Sequence, residues 1–170
     1  NTNSAERREK TLIESAQKAA DDDDVLFLMD ICVLLAQENN FRAIAPYAEI
    51  LVDQVATADA IRIGAQALND TQRYESCLSL LHENSDVFPG GQLPADLKRL
   101  TIHNQQKLGR LPEALKQADA LVRETGELRD FLGLINLSTH QGDLKKVVTL
   151  AREITEHPDL PPYEALRIAR

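Results

Sequence analysis

The sequence predicts an all-α protein built as a stack of helix pairs, and three observations predict it. The first is composition: 43% of the 170 residues are hydrophobic and 27% charged, yet aromatics are only 4%, Trp is absent, and Gly and Pro number seven each. That is a foldable globular chain, but one poor in the turn and strand residues that β-sandwiches and barrels require. The second is periodicity, because apolar residues recur at three- and four-residue spacing along almost the whole chain. The third is internal repetition at a helix-pair period, which points to a stacked solenoid and away from a closed bundle.

Taken in order, helices are expected over 5–20, 22–38, 41–55, 57–69, 73–84, 94–108, 111–125, 127–140, 144–157 and from 161 onward. Between them fall the breakers Asn39-Asn40, Asn69-Asp70, Pro89-Gly90-Gly91, Gly109, Gly126, Gly142-Asp143 and Pro158 to Pro162. Pro94 and Pro112 sit in first turns, where a missing N–H costs nothing. Pro46 lies inside the third helix and should kink it or delay its start. The acidic run Asp21 to Asp24 reads as a solvated helix start, and Pro89-Gly90-Gly91 as a flexible loop between repeats.

The repeated segments open at Asn39 (NNFRAIAPYAEIL), Gln72 (QRYESCLSLLHEN), Gly109 (GRLPEALKQADAL) and Gly142 (GDLKKVVTLAREI). Each has a turn pair, a large apolar anchor, and a small or β-branched residue three places on. The anchors Phe41, Tyr74, Leu111 and Leu144 are 33, 37 and 33 residues apart, the longer step containing Phe88-Pro89-Gly90-Gly91.

At these residues the chain resembles the tetratricopeptide repeat (TPR) family, whose second helix typically opens Gly-Asp-large-x-x-Ala. Gly109 to Ala114 follows that pattern; Gly142-Asp143-Leu144 keeps its first half before Val147; Ile44 and Cys77 hold the small-residue place in the other two copies. The resemblance implies a right-handed α-solenoid of antiparallel helix pairs near 22–55, 57–84, 94–125 and 127–157. Half pairs at 1–20 and 161–170 complete a single array over 1–170, expected to be a fragment of a longer protein. Leu12 and Ile13 at one end, and Tyr163, Leu166 and Ile168 at the other, are expected to lack cover and to favour self-association.

The sequence disfavours several functions. A net charge of −8 repels phosphate backbones, so no nucleic-acid partner is expected. No apolar run reaches membrane-spanning length, so no membrane partner is expected either. Cys32 and Cys77 are 45 residues apart inside apolar patterns, which suits packing, no metal site and a reducing, cytoplasmic setting. His82, His103, His140 and His157 lack metal-ligand spacing, and His157 reads as a cap on the end of its own helix. No enzyme signature, catalytic residue or cofactor motif is present.

What the resemblance implies instead is a concave groove lined by first helices that binds a peptide or protein segment. Its candidate residues are Arg62, Gln66 and Asn69, then Arg99, His103 and Gln106, then Asn136 and His140. Leu97, Leu100 and Leu108 fit two registers one residue apart for the middle set. The Lys and Asn of the family's carboxylate-clamp branch are missing: Arg62 with Gln66, and Leu132 with Asn136, stand there. Arg62 and Arg99 are expected to give the groove its cationic character and an acidic ligand. The alternative is a regulatory or oligomerisation arm of a larger enzyme or signalling protein.

Overall fold

The anchors of the sequence repeat open helices. The computed structural model describes residues 2–155, 157 and 158, and among these every regular element is helical. The elements are α1 (Thr2–Asp21), α2 (Val25–Gln37), α3 (Phe41–Ile44), α4 (Ala48–Val55), α5 (Ala58–Asp70), α6 (Tyr74–Glu83), α7 (Ala95–Lys107), α8 (Leu111–Thr125), α9 (Leu128–Gln141) and α10 (Leu144–Thr155). Phe41, Tyr74, Leu111 and Leu144 are each the first residue of their helix.

The turn before each anchor is the same device four times. Asn39, Gln72, Gly109 and Gly142 all take positive φ, between 57° and 81°. The next residue then donates its N–H across the turn: Asn40 to Leu35, Arg73 to Leu68, Arg110 to Gln105 and Asp143 to Ser138, at 2.8–3.0 Å. This is a Schellman closure, which satisfies the orphan carbonyls of the first helix while reversing the chain. Gly meets the left-handed requirement without a Cβ penalty in two copies, whereas Asn39 and Gln72 bear it in the other two. A turn this short makes the joined helices antiparallel neighbours.

Pro46 behaves as expected. The third helix is divided into α3, a 3₁₀ turn over Ala45–Tyr47 with the proline in its first positions, and α4. The acidic run is exposed and marks a helix start, as expected: Asp21 ends α1, and Asp24 caps α2 by accepting the Phe27 N–H at 3.2 Å. Thr57 caps α5 in the same way, from Ala60 at 3.3 Å. The Pro89-Gly90-Gly91 segment forms a 3₁₀ turn beside Phe88, whose ring is buried in the core.

Two units are distinguished, Asn1–Leu100 and Thr101–Arg170. In the first, α1 packs on α2, α2 on α4 and α5, and α5 on α3, α4 and α6. One core layer joins Leu28, Ile31, Cys32 and Leu35 of α2 to Ala16 and Ile44; a second joins Ile61, Ala65 and Leu68 of α5 to Cys77, Leu81 and Phe88. The small-residue places are where helices meet: Ile44, Cys77 and Ala114 are fully buried, and Val147 is half-buried. Gly64 is tighter still, since a Cβ there would lie 3.3 Å from the Ala48 carbonyl oxygen. In the second unit α9 packs against both α8 and α10, around Ala114, Ala118, Leu134 and Leu150. Leu12 packs against the first core and Ile13 is exposed; Tyr163, Leu166, Ile168 and the half pair at 161–170 lie outside the described residues.

Candidate functional site

Arg62, Gln66 and Asn69 lie along one side of α5, but each is already engaged. The Arg62 guanidinium donates from Nε to Asp96 Oδ2 at 3.1 Å, and its Nη1 lies 3.7 Å from Asp59 Oδ1. Its Cζ also sits 5.7 Å from the centroid of the Phe88 ring, within cation–π range. Gln66 Nε2 donates to Asp70 Oδ1 at 2.8 Å, and Asn69 Nδ2 reaches the same oxygen at 3.4 Å. Asp59, Arg62, Gln66 and Asp70 therefore form one polar row whose three carboxylates, counting Asp96, outnumber its single cation. The expectation of a cationic groove at Arg62 is corrected here: two carboxylates answer its charge, and an acidic ligand arriving there meets them first.

Asp59, Asp70 and Asp96 are the residues that sequence reasoning passed over. Asp59 with Arg62, at i,i+3, and Gln66 with Asp70, at i,i+4, are helix-face pairs readable from spacing. Asp96 is not, because it is 34 residues from Arg62.

On α7, Arg99 and Gln106 are half-buried and His103 is exposed. Partial desolvation, and then the Lys107 ammonium one turn on, hold the His103 imidazole below its ordinary value. Asn104 and Gln105, beside the candidates, are buried polar residues, and neither Oδ1 nor Nδ2 of Asn104, nor the Gln105 Oε1, has a hydrogen-bond partner among the described residues.

Asn136 and His140 are brought together. With Leu132, Ile135 and Thr139 they line an open depression of 470 Å³ on α9. Leu132 is 48% exposed, so the depression has an apolar wall that water covers, next to an amide and an imidazole. Such a combination can seat an apolar side chain while hydrogen-bonding the backbone that carries it.

The two cysteines are used for packing, and His82 is exposed on α6. Cys32 and Cys77 are buried and form no disulfide. Burial pushes the Cys32 thiol up to about 12, which keeps it protonated and unreactive at neutral pH. Cys77 Sγ lies 3.3 Å from the Ala65 carbonyl oxygen, to which its S–H donates. Among the described residues no group of three or more His, Cys, Asp or Glu could hold a metal ion, and no helix is long and apolar enough to cross a membrane. His157 does more than the expected cap on its own helix. Its Nε2 donates to the Gly126 carbonyl, 2.6 Å away, and its ring meets Phe131 edge-on at 5.7 Å. Its ring thus caps the end of α8, 31 residues distant, while its backbone N–H donates to the Ile154 carbonyl at 3.0 Å, at the end of the helix it follows.

The repeated hairpin has a counterpart among solved structures. The crystal structure of YrrB, a TPR protein with an unusual peptide-binding site, superposes with a TM-score of 0.64, covering 92% of this chain and 81% of that one at 15% identity. The fold is TPR-like. No family profile and no curated protein sequence matches the chain. The four Schellman turns and the buried small-residue places are thus the TPR-like features this sequence builds with little identity to its neighbour.

Proposed function

We propose that the chain is a protein-interaction scaffold of the TPR type, a single repeat array whose first helices take a peptide or protein segment. The observation that carries this reading is the α9 depression, where Leu132 and Ile135 lie beside Asn136, Thr139 and His140. Its polar groups can accept and donate along an extended backbone, and its apolar wall can hold one side chain of the same segment. The peptide-binding site of the TPR-like neighbour YrrB supports a ligand of this class. Within the same unit His103 and Gln106 are proposed as further polar contacts; in the first unit Gln66, Asn69 and Arg99 are proposed as first-helix contacts of their own, with Arg62 an organising residue whose charge is already met by Asp59 and Asp96.

Peptides selected from a random display library against the full chain test this. Asn136→Ala with His140→Ala removes two hydrogen bonds, each worth about 0.5–1.5 kcal/mol, so affinity for the selected peptides falls about tenfold with helicity unchanged. Leu132→Ser weakens the same peptides. Selected peptides that bind both variants as tightly as the parent exclude α9 as the site.

A further inference from the structure

Helix α2 reads VLFLMDICVLLAQ, apolar on nearly every side, and a helix of that kind is normally covered all round. Here only one side is covered. Leu28, Ile31, Cys32 and Leu35 are buried against α1, α4 and α5, but Leu26 is 75% exposed, Phe27 49% and Leu34 38%. Leu26 and Leu34 stand two turns apart on one side of the helix, with Asp30 midway between them and Phe27 alongside. Three exposed large apolar residues on nine consecutive positions make a contiguous patch, which is the mark of an interaction surface.

The charges around the patch say what fits it. Asp22, Asp23 and Asp24 precede it, Asp30 lies within it, and α2 itself holds no basic residue. None of these four carboxylates is in an ion pair with a described residue. An incoming apolar surface would strand Asp30 unless it brought a cation to meet it, and a carboxylate screened from water by leucine and phenylalanine binds such a cation more strongly than an open one. A second copy of the chain is a poor occupant, because a two-fold contact would set Asp30 and the Asp22–Asp24 run against their own counterparts. Anionic lipid is repelled for the same reason.

We propose that the outer face of α2 docks an amphipathic helix of a partner protein, one with a leucine-type stripe and lysine or arginine beside it. The ammonium or guanidinium pairs with Asp30, the stripe covers Leu26, Phe27 and Leu34, and the Asp22–Asp24 run draws the basic flank toward the start of α2. This surface stands independently of whether α9 takes a peptide.

The test uses the full chain and a fluorescein-labelled Leu/Lys amphipathic helical peptide, with its Leu/Glu counterpart as the opposite-charge probe. Fluorescence anisotropy is expected to show binding of the Leu/Lys probe that weakens as salt is raised, and none of the Leu/Glu probe. Leu26→Ser with Phe27→Ser, both exposed and therefore compatible with folding, should weaken the Leu/Lys probe about tenfold or more, as should Asp30→Lys. Asp53→Lys, on the exposed side of α4, makes the same change in net charge and should leave affinity within about twofold. Circular dichroism checks that each variant is folded. An effect of Asp53→Lys equal to that of Asp30→Lys would reduce the binding to bulk charge attraction and overturn the proposal. So would an unaltered affinity in the Leu26→Ser, Phe27→Ser variant, or no probe binding by the parent chain. Self-association of the parent, detected by sedimentation and lost in that double variant, would assign the face to a second copy instead. The α9 variants Asn136→Ala and His140→Ala should not move this probe, so the two surfaces fail or stand separately.

Discussion

Gly64 and Gly133 offer the same substitution, glycine to alanine inside a helix, with opposite expected outcomes. In either helix the change supplies about 0.8–1.0 kcal/mol of intrinsic propensity. At Gly133 a Cβ meets nothing within 4 Å and the residue is exposed, so Gly133→Ala should stabilise by nearly that full amount. At Gly64 the added Cβ lies 3.3 Å from both the Ala48 carbonyl oxygen and Val52 Cγ2. Val52 can shift its methyl, but the carbonyl belongs to the backbone of α4, and relief means moving α4 off α5. Overpacking of this kind costs about 1–3 kcal/mol, so Gly64→Ala should be neutral to about 2 kcal/mol destabilising after the propensity gain. Gly64→Leu, which adds three more carbons to the same gap, should lower stability further. Urea unfolding followed at 222 nm measures each against the parent, with the two units fitted as separate transitions if they separate. Stabilisation by Gly64→Ala equal to that of Gly133→Ala would refute the close α4–α5 approach, and with it the packing argument for the small-residue places.

Two further outcomes are expected. Because burial raises the Cys32 thiol to about 12 from an ordinary value near 9, the folded state holds that proton more tightly than the unfolded state does. The associated stability is complete below pH 9 and is lost as pH rises toward 12, so the alkaline fall in stability should be shallower in Cys32→Ala than in the parent; identical slopes would contradict this. His157→Ala should lose a hydrogen bond to Gly126 and an aromatic edge contact, about 1–2 kcal/mol together, and speed amide exchange at the α8–α9 turn. Unchanged exchange there would show that the contact holds nothing in place.

The sequence by itself determined the local structure. Helix spans follow from three- and four-residue apolar spacing and i→i−4 bonding; the turns at Asn39, Gly109 and Gly142 follow from residues that tolerate positive φ, whereas the one at Gln72 falls just past the expected Asn69-Asp70, which α5 includes; and Pro46 breaks the third helix because it lacks an N–H. The repeat was legible for the same reason, since Phe41, Tyr74, Leu111 and Leu144 recur at the length of one helical hairpin, and the buried places of Cys77 and Ala114 sit at a fixed offset from them. Only the tertiary structure decided how the functional surfaces are charged and covered. Arg62 is met by Asp96, 34 residues away, and His157 reaches Gly126 across 31. Contacts at such separations depend on where neighbouring helices cross, which no spacing rule within one helix encodes. The same applies to α2: its sequence is apolar on all sides, so periodicity could not tell which side its neighbours bury. That Leu28 and Leu35 face the core while Leu26 and Leu34 face water was fixed by the positions of α1, α4 and α5 around the helix.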